Sequence, residues 1–266
     1  MILAHLRTFP TLFRISVASL VAYRAEMVIW ILSTTLPLVM LALWNAVTAD
    51  GPVAGFDQNG MTRYFVCTLI VRQLTGAWIL WELNYDIRSG ALSQKLLKPI
   101  HPLWYAALTM VGAMPFRMLV QTPLLLAVVL WRPEAWRTPS LAEVSLFVVS
   151  VALAWLLSYL SQAFFGSLAF FMDRSMGLWS VWFALWMLFS GYIAPLGVFP
   201  AWTATALKWS PFNALLGVPV QILGGFTTPH DAVPLVLAQL AWVVVAWVLV
   251  AFTWRRGLQS YGAVGA

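Results

Sequence analysis

The chain has 266 residues, of which 62% are hydrophobic, 15% aromatic and only 9% charged, with a net charge of +6. Soluble domains carry about 25% charged and about 45–50% apolar residues, so this surplus, with a mean hydropathy of +0.85, excludes a water-soluble globule and identifies a membrane protein. The basic residues are scattered between apolar runs, which excludes a compact nucleic-acid-binding face and suits cationic loops beside an anionic leaflet.

At the N-terminus Ile2, Leu6, Phe9, Phe13, Val17 and Leu20 recur every three or four residues, with Arg7, Thr11 and Arg14 on the other side. The pattern predicts a basic amphipathic helix over 1–25 lying in the membrane interface, kinked at Pro10; the alternative is an extension of the first span. Arg7, Pro10 and Arg14 interrupt the clean apolar run that a signal peptide needs. A crossing takes about 20 helical residues, and six apolar runs suffice: 27–47, 62–81, 103–130, 141–165, 176–198 and 232–254. A basic loop over 83–102 joins the second and third. Within it a short helix is expected, with Leu92, Leu96 and Leu97 on one side and Ser93, Gln94, Lys95 and Lys98 on the other, opened by Ser89 or Gly90 and ended by Pro99 and Pro102. Asp173 and Arg174 mark a turn with an adjacent ion pair. The segment 199–231 holds two apolar pieces, 201–207 and 215–223, each too short to cross and punctuated by Pro200, Pro211, Pro219 and Pro229. Irregular backbone at membrane depth survives only where protein or water satisfies it, so this segment reads as an external re-entrant hairpin; an ordinary apolar loop is the alternative. The expected fold is an all-α polytopic membrane protein with a single transmembrane domain over 1–266.

With the N-terminus inside, nine basic residues (Arg7, Arg14, Arg24, Arg88, Lys95, Lys98, Arg174, Arg255, Arg256) face the cytoplasm and four (Arg63, Arg132, Arg137, Lys208) face out. The positive-inside rule then places both termini in the cytoplasm. Trp44, Trp131, Trp136 and Trp202 fall near one surface and Trp81, Trp104 and Trp254 near the other, the depth that amphipathic indoles prefer. Cys67 is the single cysteine, which excludes an intrachain disulfide and a CxxC pair. His5, His101 and His230 are far apart, so no metal site is expected. No GxxxxGK[ST] or GxSxG run occurs, and without a nucleotide motif a helix bundle needs a partner or an ion gradient as its energy source.

Two segments carry a likeness. Ile87-Arg88-Ser89-Gly90-Ala91-Leu92, followed by Leu96-Leu97-Lys98-Pro99-Ile100, is similar to the cytoplasmic loop of a subgroup of six-span permeases of about this length. The tail Arg256-Gly257-Leu258-Gln259-Ser260-Tyr261, with Gly262 and Gly265, resembles that subgroup's ending. With the order of the other segments, the whole chain resembles an ABC-2 type exporter permease. The resemblance implies two ATP-binding cassette ATPase subunits as partners, and a second copy or a sister permease beside the chain. ATP and magnesium would sit on the ATPases, with no cofactor or catalytic residue on this chain, in a bacterial cytoplasmic membrane. It also makes the loop the coupling element, with Asp86, Arg88, Gly90, Leu92, Lys95, Leu96, Leu97, Lys98 and Pro99 as its residues. An amphipathic or hydrophobic substrate, xenobiotic or lipid-like, is expected to leave by alternating access; a lipid-linked glycan is the alternative.

Arg72 and Arg117 lie near the middle of the second and third runs, where an arginine costs about 2.5–3.5 kcal/mol to insert. Glu82 is about ten residues from Arg72, roughly 15 Å along a helix, so neither has an acid at its level. Either they line a polar pathway or an anion-contacting surface between subunits, or they snorkel or pair with carbonyls in the bundle, with Gln73, Thr75, Gln121 and Thr122 as candidate hydrogen-bond partners. Trp179, Trp182, Phe183, Trp186 and Phe189 form a stripe at helical spacing that suits packing, a lipid-facing surface or a ligand wall. A gradient-driven transporter would need buried titratable groups, and arginine does not release protons; an intramembrane enzyme would need clustered acids or histidines. Both readings are disfavoured. The orientation is tested by labelling: Gly262→Cys in a Cys67→Ser background should react with an impermeant maleimide only after the membrane is opened, and labelling of intact cells would overturn the topology.

Overall fold

The computed structural model describes residues 36–262. The interface helix expected over 1–25 and the start of the first span lie outside the described residues. The elements are α1 (Leu36–Val47), α2 (Gln58–Leu74), α3 (Ile79–Ser89), α4 (Leu92–Leu96), α5 (Pro102–Trp131), α6 (Leu141–Ser167), α7 (Ser175–Phe189), α8 (Ala201–Lys208), α9 (Val218–Gly224) and α10 (Pro229–Ser260). Among the described residues the β structure is one isolated bridge, Val53 to Phe56.

Helix starts follow local chemistry. The Asp57 carboxylate accepts from the Gly60 amide at 2.7 Å and caps α2. Ser140 and Glu143 make a reciprocal capping box at α6, and Thr228 accepts from the Asp231 amide at 3.2 Å to open α10. Each cap satisfies amides that the first helical turn leaves without partners.

Four helices are long and apolar enough to cross a membrane: 58–89 taken through its break, Pro102–Trp131, Leu141–Phe170 and Pro229–Ser260. They match the second, third, fourth and sixth expected runs. The 58–89 element is the central one, with 72% of its most apolar window buried against 11–28% in the other three. α6 and α10 pack along each other, α1 and α5 lie against α2, and α6 also holds α3. Gly166 permits that last approach, because a Cβ there would meet the Leu83 side chain at 3.1 Å.

The expected continuous second span is corrected to two helices. α2 ends at Leu74, where Thr75 turns its hydroxyl back to the Val71 carbonyl at 2.9 Å and Gly76 has poor helix propensity. The freed carbonyls find donors on neighbouring helices. Arg117 on α5 donates to the Gly76 carbonyl at 3.2 Å, and Gln162 on α6 donates to the Ala77 carbonyl at 2.7 Å. Beyond the break the helix continues to Ser89, so the loop expected from 83 starts only at Gly90.

The fifth expected run also ends early. α7 stops at Phe189 because Gly191 takes a left-handed φ of 89°. The Tyr64 hydroxyl donates to the Gly191 carbonyl at 2.8 Å, and a Cβ on Gly191 would lie 2.3 Å from that hydroxyl oxygen. Two residues on, the Trp44 indole donates to the Ile193 carbonyl at 2.9 Å.

The two pieces of 199–231 differ from each other. α8 is exposed, with Trp202 at 78%, while a π turn over Asn213–Gly217 leads into α9, and both are buried against α2, α6 and α10. Gln239 of α10, fully buried, donates to the Ala214 carbonyl at 2.7 Å and accepts from the Ser150 hydroxyl at 2.8 Å, so one amide ties three elements. Trp254, near the end of α10, is buried edge-on to Phe170 at 5.7 Å.

Replacing Gln239 with Leu preserves volume but strands the Ala214 carbonyl and the Ser150 hydroxyl. Interhelical hydrogen bonds in membranes average about 0.6 kcal/mol and reach about 1.7 kcal/mol, and the stranded groups add to that. Gln239→Leu should therefore lower stability by about 1–2 kcal/mol, read as a reduced unfolding temperature in detergent.

Candidate functional site

The helix break brings the two costly arginines together. Arg72 lies in the last turn of α2, its guanidinium 5.2 Å from the Trp186 ring centre and facing the Tyr192 hydroxyl. Arg117 reaches the break from the other side, 5.0 Å over the Trp78 ring and bonded to the Gly76 carbonyl. Delocalised guanidinium groups suit this use, because they bond and stack at once. The two roles separate: Arg117 holds the backbone, while Arg72 faces a cavity.

That cavity, about 40 Å³, lies between α2, α6 and α7. Arg72 and Thr75 form one wall, Ser158, Ser161 and Gln162 of α6 a second, and Trp179, Trp182, Phe183 and Trp186 of α7 a third. The aromatic stripe thus faces the protein interior, while Leu178, Val181, Leu185 and Leu188 make the exposed face of α7. The stripe packs as well as lines: Trp182 lies 5.5 Å from the Phe165 ring and 4.9 Å from Phe212. The space accommodates about one water, so a substrate would need α7 to move away from α6. Sequence reasoning passed over Ser158, Ser161, Gln162 and Tyr192. The signal available was polar residues at i, i+3 and i+4 along otherwise apolar α6. Gln121, buried at 2% exposure, has no hydrogen bond to Arg72, and neither of its amide atoms has a partner among the described residues.

The second candidate site is the end of the bundle carrying α4. Gly90, with φ of 79°, turns the chain out of α3. The Lys95 ammonium lies 2.6 Å from Glu82 and 2.5 Å from Asp86, so α4 is tied back to the helix it follows. Partial burial pulls the Lys95 pKa down, but hydrogen bonds and charge from Asp86 and Glu82 outweigh it and hold it above the ordinary lysine value. Arg88 pairs with the Asp173 carboxylate at 2.9 Å and also bonds the Asp173 carbonyl. The ion pair expected between neighbours Asp173 and Arg174 is therefore corrected to one across the bundle end. Asn84 adds a bond to the Ser175 hydroxyl at 2.7 Å.

The three leucines expected on one side are split. Leu92 is fully buried against the bundle, while Leu96 is 37% and Leu97 is 87% exposed. Leu96, at i+4, lies towards the face of Leu92 and is only just exposed, whereas Leu97, at i+5, is rotated about 140° from it and points off the bundle. Lys98 and Pro99 are exposed beside the two leucines. Lys95 is a clamp rather than a free surface charge.

A family model described as ABC-2 family transporter protein matches residues 31–265 of the chain. No curated protein and no solved structure matches it.

The two arginines should separate by experiment. Arg117→Leu removes the donor to the Gly76 carbonyl and should lower the detergent unfolding temperature, while Arg72→Leu should keep that temperature and reduce transport. Equal loss of stability in both would give Arg72 a structural role.

Proposed function

Because the chain belongs to the ABC-2 family of transporter proteins, a family of membrane permeases that work with an ATP-binding cassette ATPase, we propose that it exports an amphipathic or hydrophobic substrate, with the α4 loop as its coupling element. The loop end is then cytoplasmic, as the excess of basic residues there favours. Six crossings follow if 27–47 and α7, with the chain after it, each complete one. Two permease copies, or this chain and a sister, would sit on two ATPases.

The exposed Leu96-Leu97 pair on a clamped turn carries this reading. An apolar pair exposed beside Lys98 and Pro99, on a turn tied down by charges, suits the cleft of a soluble domain. The clamp makes the element rigid, so force at α4 passes into α3 through the Lys95 ties to Glu82 and Asp86. α3 has 11 residues, about 16 Å at 1.5 Å per residue. Its far end is the break at 75–78, beside Arg72 and the cavity. A shift of the loop thus tilts α3 about the break and changes the α6–α7 gap. The bonds from Arg117 and Gln162 would set how freely that pivot moves.

In the cavity, the aromatic wall fits a flat or apolar body, and Arg72 with the α6 hydroxyls fits a polar or anionic group. Indole and guanidinium at one site select molecules with both characters. Gradient-driven transport gains no support here, because the charges at mid-depth are arginines.

The test is co-purification of the ATPase, followed by transport-coupled ATP hydrolysis. Leu96→Ala with Leu97→Ala should insert and fold normally, yet lose about 1–2 kcal/mol of contact per docked leucine. Wild-type assembly in that variant would assign the contact to another inner segment. Lys98→Glu should slow association, with an effect that salt screens. Lys95→Glu should instead loosen α4, since it faces Glu82 and Asp86. The Lys95 pKa is raised in the fold, so its tie is complete below the ordinary lysine value of about 10.4 and is lost as pH rises through the higher folded value. Protection of the loop from proteolysis should follow that alkaline course.

A further inference from the structure

The opposite end of the bundle holds a much larger cavity, about 430 Å³, within the range of small-molecule sites. It lies inside one chain and has an apolar floor and a charged mouth. Phe56, Tyr64 and Phe226 make the floor, with ring centres 5.0–5.9 Å apart. The floor is braced from behind: the Arg63 guanidinium lies 4.9 Å from the Phe226 ring centre, and the Tyr64 hydroxyl is engaged with Gly191. The turn into Phe226 is equally fixed, because Gly225 is left-handed at φ 64° and the Phe226 amide donates to the Gln221 carbonyl at 2.9 Å.

The mouth carries one charge of each sign. Lys208 ends α8 and Asp231 opens α10. Asp231 is held by the Thr228 hydroxyl, which donates to it at 2.7 Å, and Lys208 lies 5.8 Å from the Trp209 ring centre. No ion pair within 4 Å joins Lys208 to Asp231; the ion-pair contact of Asp231 is with exposed His230, at 3.7 Å. Both charges therefore remain open to a ligand that presents an anion to one and an ammonium to the other. A ligand with a single charge would gain one attraction and one repulsion. We infer that this cavity binds an amphiphile with a zwitterionic head, its apolar part on the aromatic floor and its head at the mouth between Lys208 and Asp231.

Two sources could supply that chemistry: a zwitterionic phospholipid of the facing leaflet, or a water-borne zwitterionic amphiphile. The site is distinct from the Arg72 cavity and is measured without ATPase or nucleotide. Its failure would leave the transport reading in place, and a failure of transport would leave this site in place.

The test uses the whole chain in phosphatidylglycerol nanodiscs, titrated with three single-chain probes: lysophosphatidylethanolamine, lysophosphatidylglycerol and an alkyltrimethylammonium of matched length. The zwitterion should bind most tightly, by about fivefold over either singly charged probe, the gain expected of charges that stay partly hydrated. Lys208→Met and Asp231→Asn should each remove that preference, and Leu196→Trp, which fills the cavity, should abolish binding of the zwitterion. Unfolding temperatures confirm the fold of each variant; should Asp231→Asn fail to fold, Lys208→Met and Leu196→Trp carry the test. Adding phosphatidylethanolamine to the nanodisc separates the sources, since competition supports a leaflet lipid as occupant and its absence supports a water-borne one. Equal binding of the three probes, or an unchanged preference in Lys208→Met and Leu196→Trp, would overturn the inference.

Discussion

A carbonyl released from a helix inside a membrane protein must be given a donor, and this requirement organises the structure. The chain interrupts its helices at Gly76 and Ala77, at Gly191 through Ile193, and at the π turn near Ala214. In each place a side chain from another element supplies the missing hydrogen bond: Arg117 and Gln162, Tyr64 and Trp44, and Gln239. Water at that depth is scarce, so an unpaired carbonyl would cost several kcal/mol, more than the polar side chain costs to insert. Several polar side chains of an otherwise apolar chain are thus the counterparts of its breaks.

This explains why the two mid-span arginines diverge. Arg117 bonds the Gly76 carbonyl through its Nη1 and stacks on Trp78, while its buried Nε has no partner among the described residues. Arg72 turns instead towards the α6 hydroxyls and the α7 aromatics. Arg72 lies beside the cavity, and the proposed substrate contact rests on that placement and on the cost of burying an arginine. The breaks also give the fold points of motion, since a segment held by one or two side-chain bonds yields before a continuous helix does.

Hydropathy revealed the long helices because each is set by about 20 consecutive apolar residues, and α5, α6 and α10 fall where the runs lay. The breaks were invisible by the same measure. Thr75-Gly76-Ala77-Trp78 and Ser190-Gly191 are too apolar and too short to disturb a running average. The donors that make them tolerable are also remote, separated by 41 residues for Arg117 and Gly76, 85 for Gln162 and Ala77, and 127 for Tyr64 and Gly191. Arg72 and the tryptophans of α7 were recognised as candidates from cost and spacing, but their meeting in one cavity was not legible, because it depends on α7 rotating its aromatic face inward. In the loop, the three leucines expected on one face are split, with Leu92 buried and Leu97 exposed. The helical period itself turns Leu97, at i+5, about 140° from Leu92, and the Lys95 ties to Glu82 and Asp86 hold that side of α4 against α3.

Exposed apolar surface is abundant in such a chain, so exposure alone identifies nothing; lipid covers most of it. What sets Leu97 apart from Leu119 of α5, exposed at 87% and 68% respectively, is company. Leu119 lies mid-helix among Leu126 and other apolar neighbours, where hydrocarbon is the natural solvent. Leu97 follows Lys95 and Leu96 and precedes Lys98 and Pro99 on a turn held by three charges. A leucine there would sit in water or headgroups at a transfer cost of about 1.5–3 kcal/mol if left uncovered. The Lys95 clamp removes the option of folding it inward, as Leu92 does two residues after Gly90. With Leu97 held at the surface by the Lys95 ties to Glu82 and Asp86, the proposed coupling role assigns its cover to the ATPase.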